Sequence, residues 1–213
     1  MIDVSSLNAY SNNLVLPSPQ PSASDADTSI PMSTVTHTPP ETSHPLESHA
    51  LESMRHVLRN PGIDWRSAEQ KTAMMATLEQ RTDVVAVLAT GGGKSMLAVI
   101  TSLVEEVTAT ILVLPLNSLL MDYQHCLTQM QVPYQVYGEG NVDQDEHQLE
   151  VTKNLVLVSA DKAQMSGWQS ALAILNQKKP VARLVFDEAH IPLIAKGYCR
   201  SLEDIYQVRS VPM

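Results

Sequence analysis

Cysteine, aromatic residues and long apolar runs are scarce in this sequence. Its two cysteines, Cys126 and Cys199, lie far apart without a Cys-x-x-Cys pair, which favours two reduced thiols over a disulfide or a metal site. No apolar stretch approaches the roughly 20 residues that span a membrane, and the first residues carry no basic segment followed by an apolar one. The sequence therefore predicts a soluble, intracellular protein.

Positive charge is absent from the start of the chain, because no Lys or Arg precedes Arg55. Residues 1–48 contain 10 Ser, 5 Thr and 7 Pro, a composition that buries too little apolar surface to offset the entropy of ordering. We expect a disordered tail at residues 1–48 and one folded domain at residues 49–213. The five acids of the tail account for part of the formal charge of −9 and leave the domain at −4. This charge gives no overall basic character, although it is compatible with a local basic groove for nucleic acid.

Apolar segments and helical patterns alternate along the domain. The strands lack polar alternation and are separated by helices, which is typical of strands buried on both faces of a parallel sheet. The predicted fold class is therefore α/β, with a central, mostly parallel sheet flanked by helices. Helices are predicted at residues 51–58, 67–78, 94–106, 118–130, 143–152 and 168–176, and strands at residues 84–88, 110–114, 134–137, 155–158 and 183–186.

A glycine-rich loop connects the apolar run 84–88 with the helix predicted from residue 94. Glycines allow backbone N–H groups to approach phosphate oxygens, the helix N-terminus adds partial positive charge, and Lys94 adds a full one. The usual phosphate-loop pattern has a glycine where this chain has Leu88, but the order of strand, loop and helix supports the same interpretation. The loop therefore predicts a site for a nucleoside triphosphate. Its residues are Thr90, Gly91, Gly92, Gly93, Lys94 and Ser95.

A pair of acids, Asp187 and Glu188, follows the last predicted strand. Ligands gather at the carboxyl ends of parallel strands, so we expect this pair and the glycine loop at one edge of the sheet. Transfer of a phosphoryl group to water needs Mg²⁺ and a residue that orients the attacking water. Asp187 can hold Mg²⁺ together with the Ser95 hydroxyl, and Glu188 can polarise the water. His190 can couple this site to a neighbouring element through its second ring nitrogen.

These motifs resemble those of a known protein family. Residues 89–95 and the Asp-Glu-Ala-His sequence at residues 187–190 are similar to motifs I and II of superfamily 2 helicases. The triple glycine, and Pro-Leu-Asn-Ser-Leu at residues 115–119 with Asp122, resemble the RecQ group of DNA helicases. The resemblance covers about residues 60–208 and implies a RecA-like P-loop NTPase domain that uses ATP and Mg²⁺. It also implies 3′ to 5′ unwinding of DNA in the nucleus.

The resemblance gives each motif residue a role. Lys94 would contact the β and γ phosphates, and Glu188 would act as the catalytic base. Asp187 and Ser95 would hold Mg²⁺. The loop that wraps the phosphates would consist of Thr90, Gly91, Gly92 and Gly93.

Gln70 has two candidate roles. It matches the adenine-reading glutamine that precedes motif I in these helicases, with Trp65 or Arg66 in place of the aromatic-Arg pair before it. It also lies three residues after Ser67, which is the spacing of a capping box at the start of a helix. Both roles are open at this point, and they exclude each other unless the Gln70 side chain leaves Ser67.

The segment after His190 departs from the RecQ group. The resemblance would place an aromatic-rich loop there that couples single-stranded DNA to ATP hydrolysis, whereas residues 191–200 have Tyr198 as their single aromatic residue. Stacking on aromatic side chains contributes roughly 1–3 kcal/mol per base. This segment therefore predicts weak binding of unpaired bases by stacking.

The sequence stops at Met213, where the resemblance would place the strand of the next motif and then a second RecA-like domain. That domain supplies an arginine finger, which contributes on the order of 10³ to 10⁵ in rate. We therefore expect the ATP-binding half of a helicase, which binds ATP·Mg²⁺ and DNA and hydrolyses ATP weakly without a separate second domain. Two alternatives stay open. One is another superfamily 2 motor, such as a DEAH-box RNA helicase or a DNA translocase, and the other is a non-catalytic remnant that binds nucleotide or a partner.

Overall fold

The computed structural model describes residues 44–138 and 152–190. The predicted tail up to residue 43, nearly all of the helix predicted at residues 143–152 and the segment after His190 lie outside these ranges. The helices are α1 (Pro45–Val57), α2 (Ala68–Glu79), α3 (Lys94–Val104), α4 (Asn117–Gln129), α5 (Ala160–Ala163) and α6 (Ser166–Lys178). The strands are β1 (Ala109–Leu114), β2 (Tyr134–Val136), β3 (Leu155–Ser159) and β4 (Val181–Phe186). None of the described helices has the length and apolar character needed to cross a membrane.

The four strands form one parallel sheet in the order β2-β3-β1-β4. Val113 of β1 lies opposite Val158 of β3 on one side and Phe186 of β4 on the other. Strands β1 and β3 are buried along their whole length, which explains why their sequences lack polar alternation. The predicted α/β fold with a parallel central sheet is confirmed.

Two apolar clusters cover the two faces of the sheet. Helices α1 to α4 pack on the face that carries Leu112 and Leu114. On the opposite face, α6 packs its fully buried Trp168 against the side that carries Ile111 and Val113. Successive residues of β1 thus alternate between two cores, and both cores are apolar. This arrangement leaves the carboxyl ends of the strands as the edge at which a site can form.

Helix α1 begins earlier than the sequence predicts. It starts at Pro45 rather than at residue 51, and it runs across the boundary predicted at residue 48. Proline suits the first turn of a helix, since its missing N–H is not needed there. Glu47 of this first turn pairs with Lys71 of α2 at 2.7 Å. The start of α1 is therefore tied to the helix that precedes the glycine loop.

The strand predicted at residues 84–88 is wrong. No described strand pairs with this segment, which is irregular backbone in the structure. Ala86 and Leu88 pack against the core, whereas Val85 and Val87 are 89% and 88% exposed. Apolar composition favours burial, but a strand also needs a hydrogen-bonded neighbour for its backbone. The described residues offer no such neighbour here.

Candidate functional site

The glycine loop makes a tight turn immediately before α3. Gly91 and Gly93 have φ angles of 73° and 82°, in the left-handed region that favours glycine. The N–H of Gly92 donates to the Ala89 carbonyl at 2.8 Å, and a Cβ added to Gly92 would meet that same oxygen at 2.8 Å. All three glycines are therefore required, two by conformation and one by space.

The first turn of α3 is open to an anion. Its N-cap is Gly93, and within the described part of the chain no side chain caps it and no acidic residue lies in the first turn. The first N–H groups of a helix need acceptors that the helix cannot supply, and the helix dipole favours a negative one. Lys94 begins the helix, and its Nζ donates to the Leu88 carbonyl at 3.1 Å. The ammonium group is thus held next to the loop.

Asp187 lies at the carboxyl edge of the sheet, directly after β4. Its backbone N–H donates to the Val113 carbonyl of β1 at 3.1 Å. Its Oδ2 accepts a hydrogen bond from the Tyr123 hydroxyl at 2.9 Å, and its Oδ1 accepts one from the Glu188 N–H at 3.0 Å. Burial raises the pKa of Asp187, while the Tyr123 hydrogen bond and the Lys94 charge partly lower it. The influence of Lys94 on Asp187 places the loop and the acidic pair at one site.

Tyr123, on α4, joins the two motifs. The residue is 3% exposed, and its hydroxyl donates to Asp187 while lying within hydrogen-bonding reach of the Ser95 hydroxyl. Burial raises the pKa of Tyr123 well above its ordinary value, and the Asp187 charge raises it further. The phenol therefore stays protonated and acts as a hydrogen-bond donor.

The sequence motifs stop at Asp122 and do not include Tyr123. A periodic signal was nevertheless available, because the inward face of α4 follows the spacing of an amphipathic helix. The buried residues of that face are Leu119, Leu120, Tyr123, Cys126 and Leu127. This pattern predicts that Tyr123 faces inward. It does not predict that its hydroxyl meets the acidic pair, since the same pattern suits a tyrosine that only packs.

Glu188 and His190 contact each other within the acidic motif. Glu188 has a φ of 50°, which is uncommon for a residue with a side chain. Its Oε2 lies 3.1 Å from Nδ1 of His190, and the two side chains are 35% and 59% exposed. Glu188 is thus open to water, as a residue that orients water has to be. The predicted link from the second ring nitrogen of His190 to a neighbouring element stays a prediction.

Gln70 is engaged within its own turn. Ser67 caps α2 as predicted, because its Oγ accepts a hydrogen bond from the Gln70 N–H at 3.2 Å. The Gln70 side chain is fully buried, and its Oε1 accepts from the backbone N–H of Arg66 at 2.8 Å. It therefore returns to the residue before the cap, not to the cap itself as in a capping box. The Arg66 guanidinium donates to the Gly91 carbonyl, which places this turn beside the glycine loop. The contact of Gln70 with adenine stays a prediction.

The oxygen groups at this edge fit a magnesium ion that arrives with a nucleotide. The described residues contain no group of three or more His, Cys, Asp or Glu side chains that could hold a metal ion. Mg²⁺ seldom needs such a group, because it keeps several waters and takes one or two carboxylates together with substrate phosphates. The Asp187 carboxylate and the Ser95 hydroxyl supply such a small set, and both meet the hydroxyl of Tyr123.

The structure thus brings most of the predicted site residues to one edge of the sheet. Gln70 lies in the adjacent turn, where its side chain accepts from Arg66, which contacts the glycine loop. Thr90 lies exposed at the start of the loop. The residues gathered at the edge are Gly91, Gly92, Gly93, Lys94, Ser95, Asp187 and Glu188.

Comparison with known protein families agrees with this geometry. The DEAD/DEAH box helicase family matches residues 67–209, which is more than half of the chain and includes the glycine loop, α4 and the acidic pair. No curated protein was found to match the chain. The parallel sheet and the placement of both motifs agree with the RecA-like domain of these helicases. The chain therefore belongs to the DEAD/DEAH box helicases of superfamily 2, and it carries the ATP-binding motor domain of that family.

Proposed function

We propose that the chain is the ATP-binding half of an ATP-dependent DNA helicase of the RecQ type, with 3′ to 5′ polarity. The RecQ-like sequence at residues 115–119, with Asp122, begins directly after β1 and continues into α4. One observation carries the proposal. The helix with this sequence also carries Tyr123, which contacts Asp187 at 2.9 Å. The residue that directly follows the RecQ-like sequence therefore contacts the proposed ATP site.

Each residue of the site would have a separate role in the transfer of a phosphoryl group to water. The glycine loop and the first turn of α3 bind the phosphates through backbone N–H groups, and Lys94 offsets the charge of the β and γ phosphates. Asp187 and Ser95 would hold Mg²⁺, which supplies positive charge at the phosphate oxygens when it is bound. Glu188 orients the attacking water, and the contact with His190 fixes the carboxylate that does so.

Gln70 would select adenine. Its side chain can reach a ligand only after Oε1 leaves the Arg66 N–H, to which it is bonded at 2.8 Å. Because Arg66 also contacts the glycine loop, adenine binding and phosphate binding would both change the contacts of the same turn. Catalysis itself would depend on Lys94, Asp187 and Glu188.

Fast hydrolysis would require a second RecA-like domain. The acidic side of the site is open, since Glu188 and His190 are 35% and 59% exposed. An opposing domain would close this side and bring an arginine to the developing charge, which contributes on the order of 10³ to 10⁵ in rate. Nucleic acid is the partner implied by the family, and we propose that it is DNA in the nucleus.

The proposal is tested by measuring ATP turnover of the 213-residue chain with single-stranded DNA, duplex DNA and single-stranded RNA of equal length. We expect slow turnover that DNA stimulates more than RNA. Glu188→Gln is the control, because it should abolish turnover while the non-hydrolysable analogue AMP-PNP still binds with Mg²⁺.

Three results would argue against parts of the proposal. Stimulation by RNA alone would favour the RNA helicase alternative. Fast DNA-stimulated turnover by the chain alone would contradict the need for a second domain. Equal turnover in the Glu188→Gln variant and the unchanged chain would contradict the ATPase site itself.

A further inference from the structure

Tyr123 places a hydroxyl inside an apolar cluster. The residue is 3% exposed and packs in the core formed by α1 to α4 and one face of the sheet. A phenylalanine would fill the same volume without a polar atom. A buried hydroxyl is costly unless it is hydrogen-bonded. Its partners therefore indicate what the hydroxyl contributes.

The partners of this hydroxyl are the two residues assigned to the metal. It donates to Oδ2 of Asp187 at 2.9 Å, and the Ser95 hydroxyl lies within hydrogen-bonding reach. A phenol can donate one hydrogen bond and also accept one, so it can serve both residues at once. Ser95 lies in α3 and Asp187 follows β4, so α4 supplies the atom that connects two separate elements.

Hydrogen bonds to both oxygens define the plane of the Asp187 carboxylate. Its main chain is held by the bond from its N–H to Val113, and Oδ1 accepts from the Glu188 N–H at 3.0 Å. The bond to Val113 holds the main chain alone, and the bond from Glu188 comes from the next residue in the chain. The Tyr123 hydroxyl binds the other oxygen from a different helix, and this third contact fixes the orientation.

We propose that Tyr123 is a positioning residue of the magnesium site, whose hydroxyl orients the Asp187 carboxylate and links it to the Ser95 hydroxyl before a nucleotide binds. This inference rests on the proposed ATP·Mg²⁺ function. The role is limited to the metal. Among the hydrogen bonds of the described residues, none joins Tyr123 to the glycine loop backbone or to Lys94, so phosphate binding without metal does not depend on it.

The test compares Tyr123→Phe with Tyr134→Phe in the full chain. Tyr134 is the matched control, because its hydroxyl lies 3.2 Å from the exposed Thr128 hydroxyl on the surface. Binding of AMP-PNP is measured at increasing Mg²⁺ and again in EDTA. Loss of a group that orients a metal ligand typically costs 10–100-fold in metal affinity. We expect Tyr123→Phe to need about tenfold more Mg²⁺ for half-saturation, and Tyr134→Phe to match the unchanged chain.

The EDTA measurement separates metal positioning from a general structural role. The affinity for AMP-PNP without metal is expected to stay within about twofold of the unchanged chain in both variants, since the phosphate contacts remain. In a Ser95→Ala background, Tyr123→Phe should have a smaller effect than in the unchanged chain, because the two residues act on the same ion.

Each outcome bears on a different claim. If the unchanged chain does not bind AMP-PNP with Mg²⁺, the proposed function fails and this inference fails with it. If it binds and Tyr123→Phe shows the same Mg²⁺ dependence, only the inference is overturned. An equal loss of affinity with Mg²⁺ and in EDTA would also overturn it, because that is the effect of a structural defect.

A second measurement does not need the Tyr123→Phe variant to fold. In a chain labelled with 3-fluorotyrosine, Mg²⁺ added to the AMP-PNP complex should shift a fluorine resonance that persists in Tyr134→Phe. The shift should be absent in Asp187→Asn. If Mg²⁺ moves no tyrosine resonance, the proposal is wrong.

Discussion

Helices α2 and α3 begin in opposite ways. At α2, Ser67 accepts the Gln70 N–H, and Glu69 places an acid in the first turn. At α3, the N-cap is Gly93, and the described residues provide neither a side-chain cap nor a first-turn acid. The chain thus satisfies the start of α2 by itself and leaves the start of α3 to a partner. An anion is the partner that such an end favours.

The same two helices end on a single residue. The Arg183 guanidinium donates to the Thr77 carbonyl of α2 at 2.9 Å and forms a salt bridge with Glu105, the C-cap of α3, at 2.5 Å. Arg183 is 6% exposed. Burial raises the pKa of Glu105, but Arg183 and the hydrogen bonds from Thr108 and Gln80 together lower it more, so the net shift is downward. The C-terminal ends of α2 and α3 are therefore both anchored to Arg183, whereas the start of α3 has no capping side chain among the described residues.

A missing cap alone does not make a site. Helices α4 and α6 also start at residues, Leu116 and Met165, whose side chains make no capping bond among the described residues. What distinguishes α3 is the glycine loop before it, with positive φ angles at Gly91 and Gly93, and Lys94 at its first position. The starts of α2 and α3 therefore differ in their chemistry, and substitutions at the two starts should have different effects on nucleotide binding.

Loss of the shared C-terminal contact is expected to have the largest effect. Arg183→Met leaves Glu105 without its ionic partner, and breaking a buried ion pair costs about 3–5 kcal/mol. Because the Glu105 side chain is 23% exposed, we expect about 3 kcal/mol, the lower end, in urea unfolding. Arg81→Met is the control, since Arg81 is 81% exposed beside Glu79 and such pairs contribute about 0–1 kcal/mol. Equal losses would contradict the role of Arg183.

Removal of the charge at the open end comes next. Lys94→Ala should weaken AMP-PNP·Mg²⁺ binding about 100-fold, since hydrogen bonds to charged groups contribute about 1.5–3 kcal/mol each. Isothermal titration calorimetry measures this directly. Lys71→Ala is the matched control on α2, where Lys71 pairs with Glu47. The affinity of this variant for AMP-PNP·Mg²⁺ should equal that of the unchanged chain. A Lys94→Ala variant that binds AMP-PNP·Mg²⁺ as tightly as the unchanged chain would contradict a phosphate site at the start of α3.

A methyl group in the loop should have a smaller effect. In Gly92→Ala the new Cβ would lie 2.8 Å from the Ala89 carbonyl oxygen, so the turn has to open. Overpacking costs typically 1–3 kcal/mol, and we expect about a tenfold loss of AMP-PNP affinity. Gly62→Ala is the control, because its Cβ would meet Asn60 Oδ1 at an ordinary 3.4 Å. Loss of affinity in both variants, or in neither, would contradict the steric role of Gly92.

Loss of the cap on α2 should have the smallest effect and a different character. Ser67→Ala should lower the free energy of unfolding by about 1 kcal/mol, the usual cost of an N-cap, while nucleotide affinity stays within about twofold. Thermal unfolding and calorimetry on the same sample measure both quantities. If Ser67→Ala weakened nucleotide binding as strongly as Lys94→Ala, the two helix starts would not differ in function.

Local signals predicted most of the architecture. Uniform apolar runs identified β1 and β3, because both faces of these strands are covered, and Ser67 marked the start of α2. The position of Asp187 after β4 followed from the strand before it. Each of these features depends on neighbours in the chain.

Features that depend on distant partners were not predicted. The apolar run 84–88 was predicted as a strand, but a strand forms only beside a second one, and the described sheet provides none there. Tyr123 meets Asp187 across 64 positions of the chain, and Arg183 meets Thr77 across 106. A periodic pattern shows that such side chains face inward, but it does not show which atoms they reach.

Amide hydrogen exchange tests the central claim most directly, that the start of α3 is a phosphate site and the start of α2 is not. The exchange of individual amides is measured by NMR for the full chain with and without AMP-PNP·Mg²⁺. We predict slower exchange at Gly93, Lys94 and Ser95 in the complex, and unchanged exchange at Gln70 and Lys71, whose N–H groups are bonded to Ser67. Equal protection at both helix starts, or no protection at residues 93–95 when the nucleotide is bound, would contradict the claim.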